Sequence, residues 1–270
     1  MENVKNRNRK YRKMSGGVLL GTGAFSKVYR VMDEETKEFV VCKISSWTEL
    51  AKKEADILEK INHPIFPAYK GKVYENGQIG LIMEYICGEQ LLKIVKRRGG
   101  LSQQRSVDIA LELAEGLLYL HELPEPVIFR DIKPENVLIQ QDGRVRLVDL
   151  GCAYICGVPP ENRAGSRGYA APEQFKPGEE IGMESDVYAL GKLLEFMLAG
   201  TRKVSPGLKR LMKRAVQEEP KQRIPDMRTF RKLLLPYREK DALKRVRLKV
   251  QNRNLGKNSF FYKTNVRKIN

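Results

Sequence analysis

Residues Val127 to Gly151, VIFRDIKPENVLIQQDGRVRLVDLG, constrain this chain more than any other stretch. Two short apolar runs flank a turn at Gln141-Asp142-Gly143. Asp131 lies just beyond the first run and Asp149 at the end of the second. Lys133 and Asn136 follow Asp131 at two and five residues. If the strands pair, two aspartates, a lysine and an asparagine meet at one mouth. Such a set can hold a divalent metal, a polyphosphate and a hydroxyl nucleophile together.

The rest of the chain is long enough to frame that mouth. Its 270 residues allow a large core, arranged as two lobes about a cleft. No apolar run approaches the roughly 20 residues of a membrane span, and the basic N-terminus lacks the apolar stretch of a secretory leader. The expected location is therefore cytoplasmic. Cys42, Cys87, Cys152 and Cys156 read as reduced thiols, because the Cys152/Cys156 pair has no second pair near it.

The formal charge is +17, and most of it sits at the ends. Residues 1–13 carry +5 and residues 237–270 carry +9, leaving +3 for the middle. The two ends read as basic tails. Solvated tails are one reading. The other is an anionic partner such as nucleic acid, an anionic membrane surface or an acidic protein.

Along the chain, a strand at Val18–Leu20 enters Gly21-Thr22-Gly23-Ala24-Phe25-Ser26, and Lys27–Val31 returns. Two glycines between strands let backbone approach a phosphate. The strand-turn-strand setting argues against a dinucleotide fingerprint, and no G-x-x-x-x-G-K-[ST] loop occurs. A strand over Phe39–Ile44 carries Lys43. A helix over about Trp47–Lys60 follows, with Ser46 and Glu49 spaced for a capping box. Glu54 falls on its inward arc, where a carboxylate needs a partner, and Lys43 is the natural one. Strands at Tyr69–Tyr74 and Ile79–Tyr85 lead to a connector at Ile86-Cys87-Gly88. The long helix Ser102–His121 shows Ile109, Leu113, Leu117 and Leu120 at helical spacing. Further helices are expected near Ser185–Leu198, Ser205–Gln217 and Met227–Leu235. Val246, Leu248 and Val250 alternate with no strand to pair, and Phe260-Phe261-Tyr262 could form a small docking patch.

Taken in order, GTGAFSKV, VVCK, Glu54, FRDIKPEN, DLG, AAPE, Asp186 and Arg223 resemble the eukaryotic-type serine/threonine protein kinase catalytic domain over about Gly17–Pro236. The resemblance implies an α+β, bilobal fold: a small antiparallel sheet lobe with one main helix, and a larger, mostly helical but abbreviated lobe. It divides the chain into a basic stretch 1–13, a first lobe 14–86, a second lobe 87–236 and a basic tail 237–270. It implies transfer of the γ-phosphoryl of ATP, with Mg2+ or in its place Mn2+, to a protein hydroxyl. Gly21, Thr22, Gly23, Ala24, Phe25 and Ser26 would cover the phosphates. Lys43 would contact them and Glu54 would hold Lys43. Val28, Cys42 and Leu138 would sandwich adenine, Met83 would back the pocket, and the backbone of Glu84 and Ile86 would bond the adenine edge. Asp131 would orient the hydroxyl and take its proton, Lys133 would offset phosphoryl charge, and Ser166 would stand beside them. Asn136 and Asp149 would hold the metal. Asp186 would brace the catalytic loop, and Glu173 and Arg223 would form a buried structural pair.

The chain departs from the family pattern at several places. Ser26 stands at the loop's third glycine. Phe129 replaces a histidine, and Leu150 a phenylalanine; with Leu58 they could form an apolar stack. Lys43 and Glu54 are only 11 residues apart. The interval Asp186–Arg223 is also short, as if one helix were missing. No Ser or Thr lies between Asp149 and Gly165, where Tyr154 is the only hydroxyl. Glu161 could supply a fixed negative charge to Arg130 instead, so activity is expected without Ser/Thr phosphorylation of this segment. Two alternatives stay open: a catalytically weak kinase-like scaffold, and a phosphotransferase for a small non-protein substrate.

Overall fold

A computed structural model describes residues 17–75, 78–158 and 164–238. The basic tails outside those ranges, the alternating stretch 246–250, the Phe260–Tyr262 patch and Glu161 lie outside the described residues.

The first half is one antiparallel sheet. Its strands are β1 (Val18–Thr22), β2 (Ser26–Met32), β3 (Phe39–Ser45), β4 (Tyr69–Glu75) and β5 (Gln78–Glu84). They lie in the order β1-β2-β3-β5-β4. The β-branched residues of β2, β3 and β5 suit a pleated, half-buried surface. Because β3 is central, both of its edges are paired, and the strand period of two sorts its side chains between the two faces. Val40 and Cys42 fall on one face, in a small cluster with Val31 and Ile82. Val41 packs against the main core, and Lys43, on the same face by alternation, reaches Glu54 of α1 (Thr48–Lys60).

Helix α1 buries Ala51, Glu54, Ala55, Ile57 and Leu58. The anticipated Ser46/Glu49 capping box does not form. Trp47 is the N-cap and makes no side-chain cap bond, because the Ser46 hydroxyl turns back to donate to Phe25 O at 3.2 Å.

The second half is mostly helical. A two-residue strand β6 (Glu89–Gln90) precedes α2 (Leu91–Arg98) and α3 (Gln103–His121). Ser102 caps α3, accepting from Arg105 N at 3.3 Å. Ile109, Leu113, Leu117 and Leu120 are buried, as their spacing predicts. Short strands β7 (Val127–Ile128), β8 (Val137–Ile139), β9 (Val145–Leu147) and β10 (Tyr154–Ile155) follow, and then α4 (Glu184–Leu198), α5 (Pro206–Ala215) and α6 (Met227–Leu234). Among the described residues, α5 is the only α-helix between α4 and Arg223, so the abbreviated reading of this lobe holds. The turn after α4 lies so close to the end of α2 that a Cβ on Gly100 would sit 2.1 Å from Ala199 O, and Gly100 has φ +123°. Only glycine fits there.

One buried cluster runs from α1 and β5 through α3 to α4, α5 and α6. Leu58, Phe129 and Leu150 belong to it, and Phe129 stacks on Phe66 with centroids 6.5 Å apart. Full burial of each such side chain contributes ~1.5–3 kcal/mol. The architecture is thus a sheet lobe and a helical lobe sharing a continuous apolar seam.

Candidate active site

Three separate segments meet at the mouth between the lobes. From β3, Lys43 Nζ donates to both carboxylate oxygens of Glu54 at 2.8 Å and to Asp149 Oδ1 at 2.6 Å. Burial draws the Lys43 ammonium's pKa down, but Glu54 and Asp149 outweigh it, so the pKa is raised and the group stays protonated. The same ammonium holds the Asp149 carboxyl below its ordinary value. Gly151 is needed beside them, since a Cβ there would lie 2.9 Å from Lys43 Nζ and 3.1 Å from Asp149 Oδ1.

The segment 131–136 supplies the second group. Asp131 Oδ2 accepts from Lys133 Nζ at 2.7 Å and from Asn136 Nδ2 at 3.2 Å. Lys133 Nζ also donates to Ser166 Oγ at 2.8 Å. Burial pulls the Lys133 pKa down and Asp131 raises it, with a net rise. Asp131 Oδ1 is buried and has no hydrogen-bond partner among the described residues. A buried carboxylate oxygen without a donor is costly, and a hydroxyl arriving from outside would satisfy it. Asn136 spends its Nδ2 on Asp131, on the backbone O at 3.0 Å as well as on Oδ2, which leaves its Oδ1 as an oxygen donor for a cation.

The two groups are joined through backbone. Val148 N donates to Asn136 O at 2.9 Å, and Val137 pairs with Leu147. Arg130 and Asp149 both take left-handed φ, +70° and +71°. Non-glycine residues rarely adopt that region, and strain of this kind is held only where surroundings over-determine it. Around Arg130 the bracing is visible. Asp186 accepts from Phe129 N at 2.9 Å and Arg130 N at 2.8 Å, and Gln174 Nε2 donates to Arg130 O at 3.0 Å.

Strand register sorts the residues expected to line a nucleotide slot above the mouth. Val28 pairs with Lys43, and Val41 pairs with Met83, so the four share one face of the sheet. Cys42 was expected to wall this slot and does not. It points to the opposite face, buried with Val31, Val40 and Ile82, and Val41 stands in its place. The error is one residue of register, which in a strand exchanges faces. Leu138 lies on β8, half-buried. The side chain of Glu84 turns away to Arg146, whose Nη2 and Nη1 approach it at 2.6 and 3.1 Å. Ile86 is buried. The loop from Gly21 to Phe25 is exposed, with Ser26 half-buried, and Gly23 N donates to Ser26 O at 2.8 Å, closing the turn.

Beyond the mouth, Tyr154 donates its hydroxyl to Ile181 O. Burial pushes that hydroxyl's pKa up to about 12. The Arg130 guanidinium lies 5.1 Å from the Tyr154 ring centroid, and its Nη2 donates to Ala164 O at 3.3 Å. Cys152 is half-buried, and burial together with Asp131 and Asp149 pushes its thiol up to about 12, so it stays protonated. Glu173 and Arg223 form a bidentate pair with both contacts at 2.6 Å, and Ser185 Oγ adds a third bond at 2.6 Å.

Three contributors escape a reading of sequence pattern. His121 bonds Asp186, and its signal was its place on the buried arc of α3. Gln174 bridges Arg130 O and Ala164 O, and Arg146 clamps Glu84. Nothing periodic marks those last two.

Residues 15–243 match the model of the protein kinase domain family. Over 197 residues the chain is 31% identical to the cAMP-dependent protein kinase catalytic subunit 3 of Drosophila melanogaster, covering 67% of this chain and 32% of that protein. Over 196 residues it is 31% identical to an Aurora kinase of Saccharomyces cerevisiae, covering 68% and 52%. The putative serine/threonine-protein kinase PRKY of Homo sapiens is 29% identical over 199 residues, 68% of each chain. The chain thus spans 32% to 68% of the length of these relatives.

Proposed function

The chain belongs to the protein kinase domain family, and on that premise we propose that it transfers the γ-phosphoryl of ATP to a serine or threonine hydroxyl of a protein. The observation that carries this reading is the meeting of Lys43, Glu54 and Asp149 with Asp131, Lys133, Asn136 and Ser166 at one mouth.

Val28, Val41 and Leu138 wall the adenine, Met83 backs it, and the backbone of Glu84 and Ile86 bonds its edge. Residues Gly21 to Ser26 cover the phosphates. Lys43, held protonated and aimed by Glu54, neutralises their charge. Asp131 accepts the incoming hydroxyl at its unpartnered Oδ1 and takes the proton as the new bond forms. Lys133, already between Asp131 and Ser166, offsets charge on the moving phosphoryl group.

Asn136 Oδ1 and the Asp149 oxygen turned from Lys43 are hard oxygen donors, which fit Mg2+. Among the described residues no group of three His, Cys, Asp or Glu could hold an ion alone, so the donor set suits an ion shared with phosphate oxygens. Bound there, Mg2+ would supply positive charge to the β- and γ-phosphates. Among the described residues, no helix is long and apolar enough to cross a membrane.

Labelled γ-phosphate incorporation tests the reading, comparing wild type with Asp131→Asn on a basic generic acceptor with Mg-ATP. Label on Ser or Thr in wild type alone supports transfer with Asp131 at its centre. Binding of Mg-ATP with no turnover in wild type would overturn it in favour of a scaffold.

A further inference from the structure

The tip of the glycine loop is fastened to the start of α1. Phe25 O accepts from Ser46 N at 2.9 Å, from Ser46 Oγ at 3.2 Å and from Ser45 Oγ at 3.3 Å. The Phe25 ring meets Trp47 edge-on, with centroids 5.2 Å apart and planes at 80°. Such edge-to-face pairs add ~0.5–1.5 kcal/mol beyond the area they bury. Ser45 Oγ also accepts from Trp47 N at 3.1 Å, which fixes the turn into the helix.

These contacts tie together three parts of the site. Ser45 ends β3, two residues after Lys43. Thr48 begins α1, six residues before Glu54. Only Ser46 and Trp47 lie between strand and helix, so the connection has no slack. An outward movement of α1 must carry Trp47 and Ser46 with it, and the loop tip is bonded to both.

We propose that Ser46 and Trp47 are positioning residues that hold the glycine loop down over the nucleotide site and couple its position to α1. The inference rests on the kinase reading and adds to it a device for ordering the loop before nucleotide arrives. A loop already ordered loses less conformational entropy on binding. Part of the affinity for ATP therefore originates in two side chains that need not touch it.

Hydrogen exchange of the intact chain without nucleotide, together with equilibrium binding of Mg-ATP, tests this on Trp47→Leu, Phe25→Leu, the double variant, Trp47→Phe and Ser46→Ala. In Trp47→Leu, amides over 22–26 are expected to exchange about tenfold faster, and the Kd for Mg-ATP to rise about 3–10-fold. The double variant should bind no more weakly than either single one, because one contact is lost in all three. Trp47→Phe keeps an aromatic edge and should retain most of the protection. Where turnover is measurable, KM for ATP should rise while KM for the acceptor stays constant. A tryptophan that only supports folding would lower the unfolding midpoint and leave loop exchange and Kd unchanged. That result would overturn the proposal, as would multiplicative losses in the double variant or equal behaviour of Trp47→Leu and Trp47→Phe. A wild type that binds Mg-ATP without turnover would remove the kinase reading alone, since exchange and binding still decide the fastening.

Discussion

His121 Nε2 lies 2.9 Å from Asp186 Oδ2, beneath the loop that carries Asp131. The same carboxylate accepts from Phe129 N and Arg130 N. Three donors therefore converge on one fully buried side chain, and two of them are consecutive amides of the strained turn at Arg130. The histidine comes from α3, so the loop that carries Asp131 is braced from outside itself.

Removal of that donor should be felt in stability and activity together. His121→Ala is expected to lower unfolding free energy by about 1–3 kcal/mol, because a buried carboxylate loses a hydrogen bond. Urea titration checks the loss. Asp186→Asn should do more harm to turnover than to Mg-ATP binding, since it loosens the loop that presents Asp131.

The corrected register of β3 makes a paired prediction. Val41→Phe should fill the slot and raise the KM for ATP at least tenfold, with KM for the acceptor unchanged. Cys42→Ser should leave KM for ATP within about twofold and lower the thermal midpoint instead, because it places a hydroxyl in an apolar cluster. Steady-state kinetics and a melting curve separate the two outcomes.

Breaking the Glu173–Arg223 pair should be among the most damaging single changes. Arg223→Ala takes both guanidinium bonds from a buried carboxylate, and loss of one partner from such a pair is expected to cost about 3–5 kcal/mol. Arg223→Lys cannot restore the two-pronged contact. Denaturant midpoints of both variants test this.

Stability should fall at both extremes of pH for stated reasons. Burial pushes the Glu173 carboxyl up, but bonds from Arg223 and Ser185 outweigh it, and its pKa is lowered. That of Asp149 is lowered chiefly by Lys43. A carboxylate depressed in the folded state binds its proton more readily when unfolded. Its contribution is present above the unfolded value of ~4 and is lost as pH drops further. Lys43 is raised, so its contribution is present below ~10.4 and lost as pH climbs beyond. Glu54 works the other way, its carboxyl raised by burial against the pull of Lys43, so urea midpoints should fall at both limits without a flat plateau between them, and Glu173→Gln should flatten the acid limb.

The segment after Asp149 should not need phosphate. Tyr154 is its only hydroxyl before Gly165, and that hydroxyl is spent on Ile181 O while its ring faces the Arg130 guanidinium. Tyr154→Phe keeps the ring and should keep most of the activity. Tyr154→Ala should lose it. Full activity after phosphatase treatment, with no phosphosite in this segment by mass spectrometry, is the expected result.

Much of this was legible in the sequence, and the reason differs by residue. The positions of Asp131, Lys133, Asn136 and Asp149 follow from two short strands that must pair, so spacing alone brings them together. Lys43 and Glu54 were legible because a carboxylate on a buried helical arc demands a cation. Cys42 was misplaced because the stretch Val40–Cys42 is apolar on both sides, and an unalternating strand does not announce its faces. The Ser46 cap failed because the decisive partner, Phe25 O, is 21 residues away. Gln174 and Arg146 act through backbone carbonyls and a distant glutamate, contacts that exist only after the chain has folded.

The close linkage of Lys43, Glu54 and Asp149 also bears on inhibitor design. A compound that binds by prising α1 away from β3 must separate buried opposite charges and drag Phe25 along through Trp47. On the proposed kinase reading, a compound that fills the adenine site between Val28 and Leu138 would meet no such resistance, and would find at its back the pliable side chain of Met83. Selective ligands for this chain should therefore be sought among slender, slot-filling chemotypes, with the size of the group placed against Met83 as the first variable to explore.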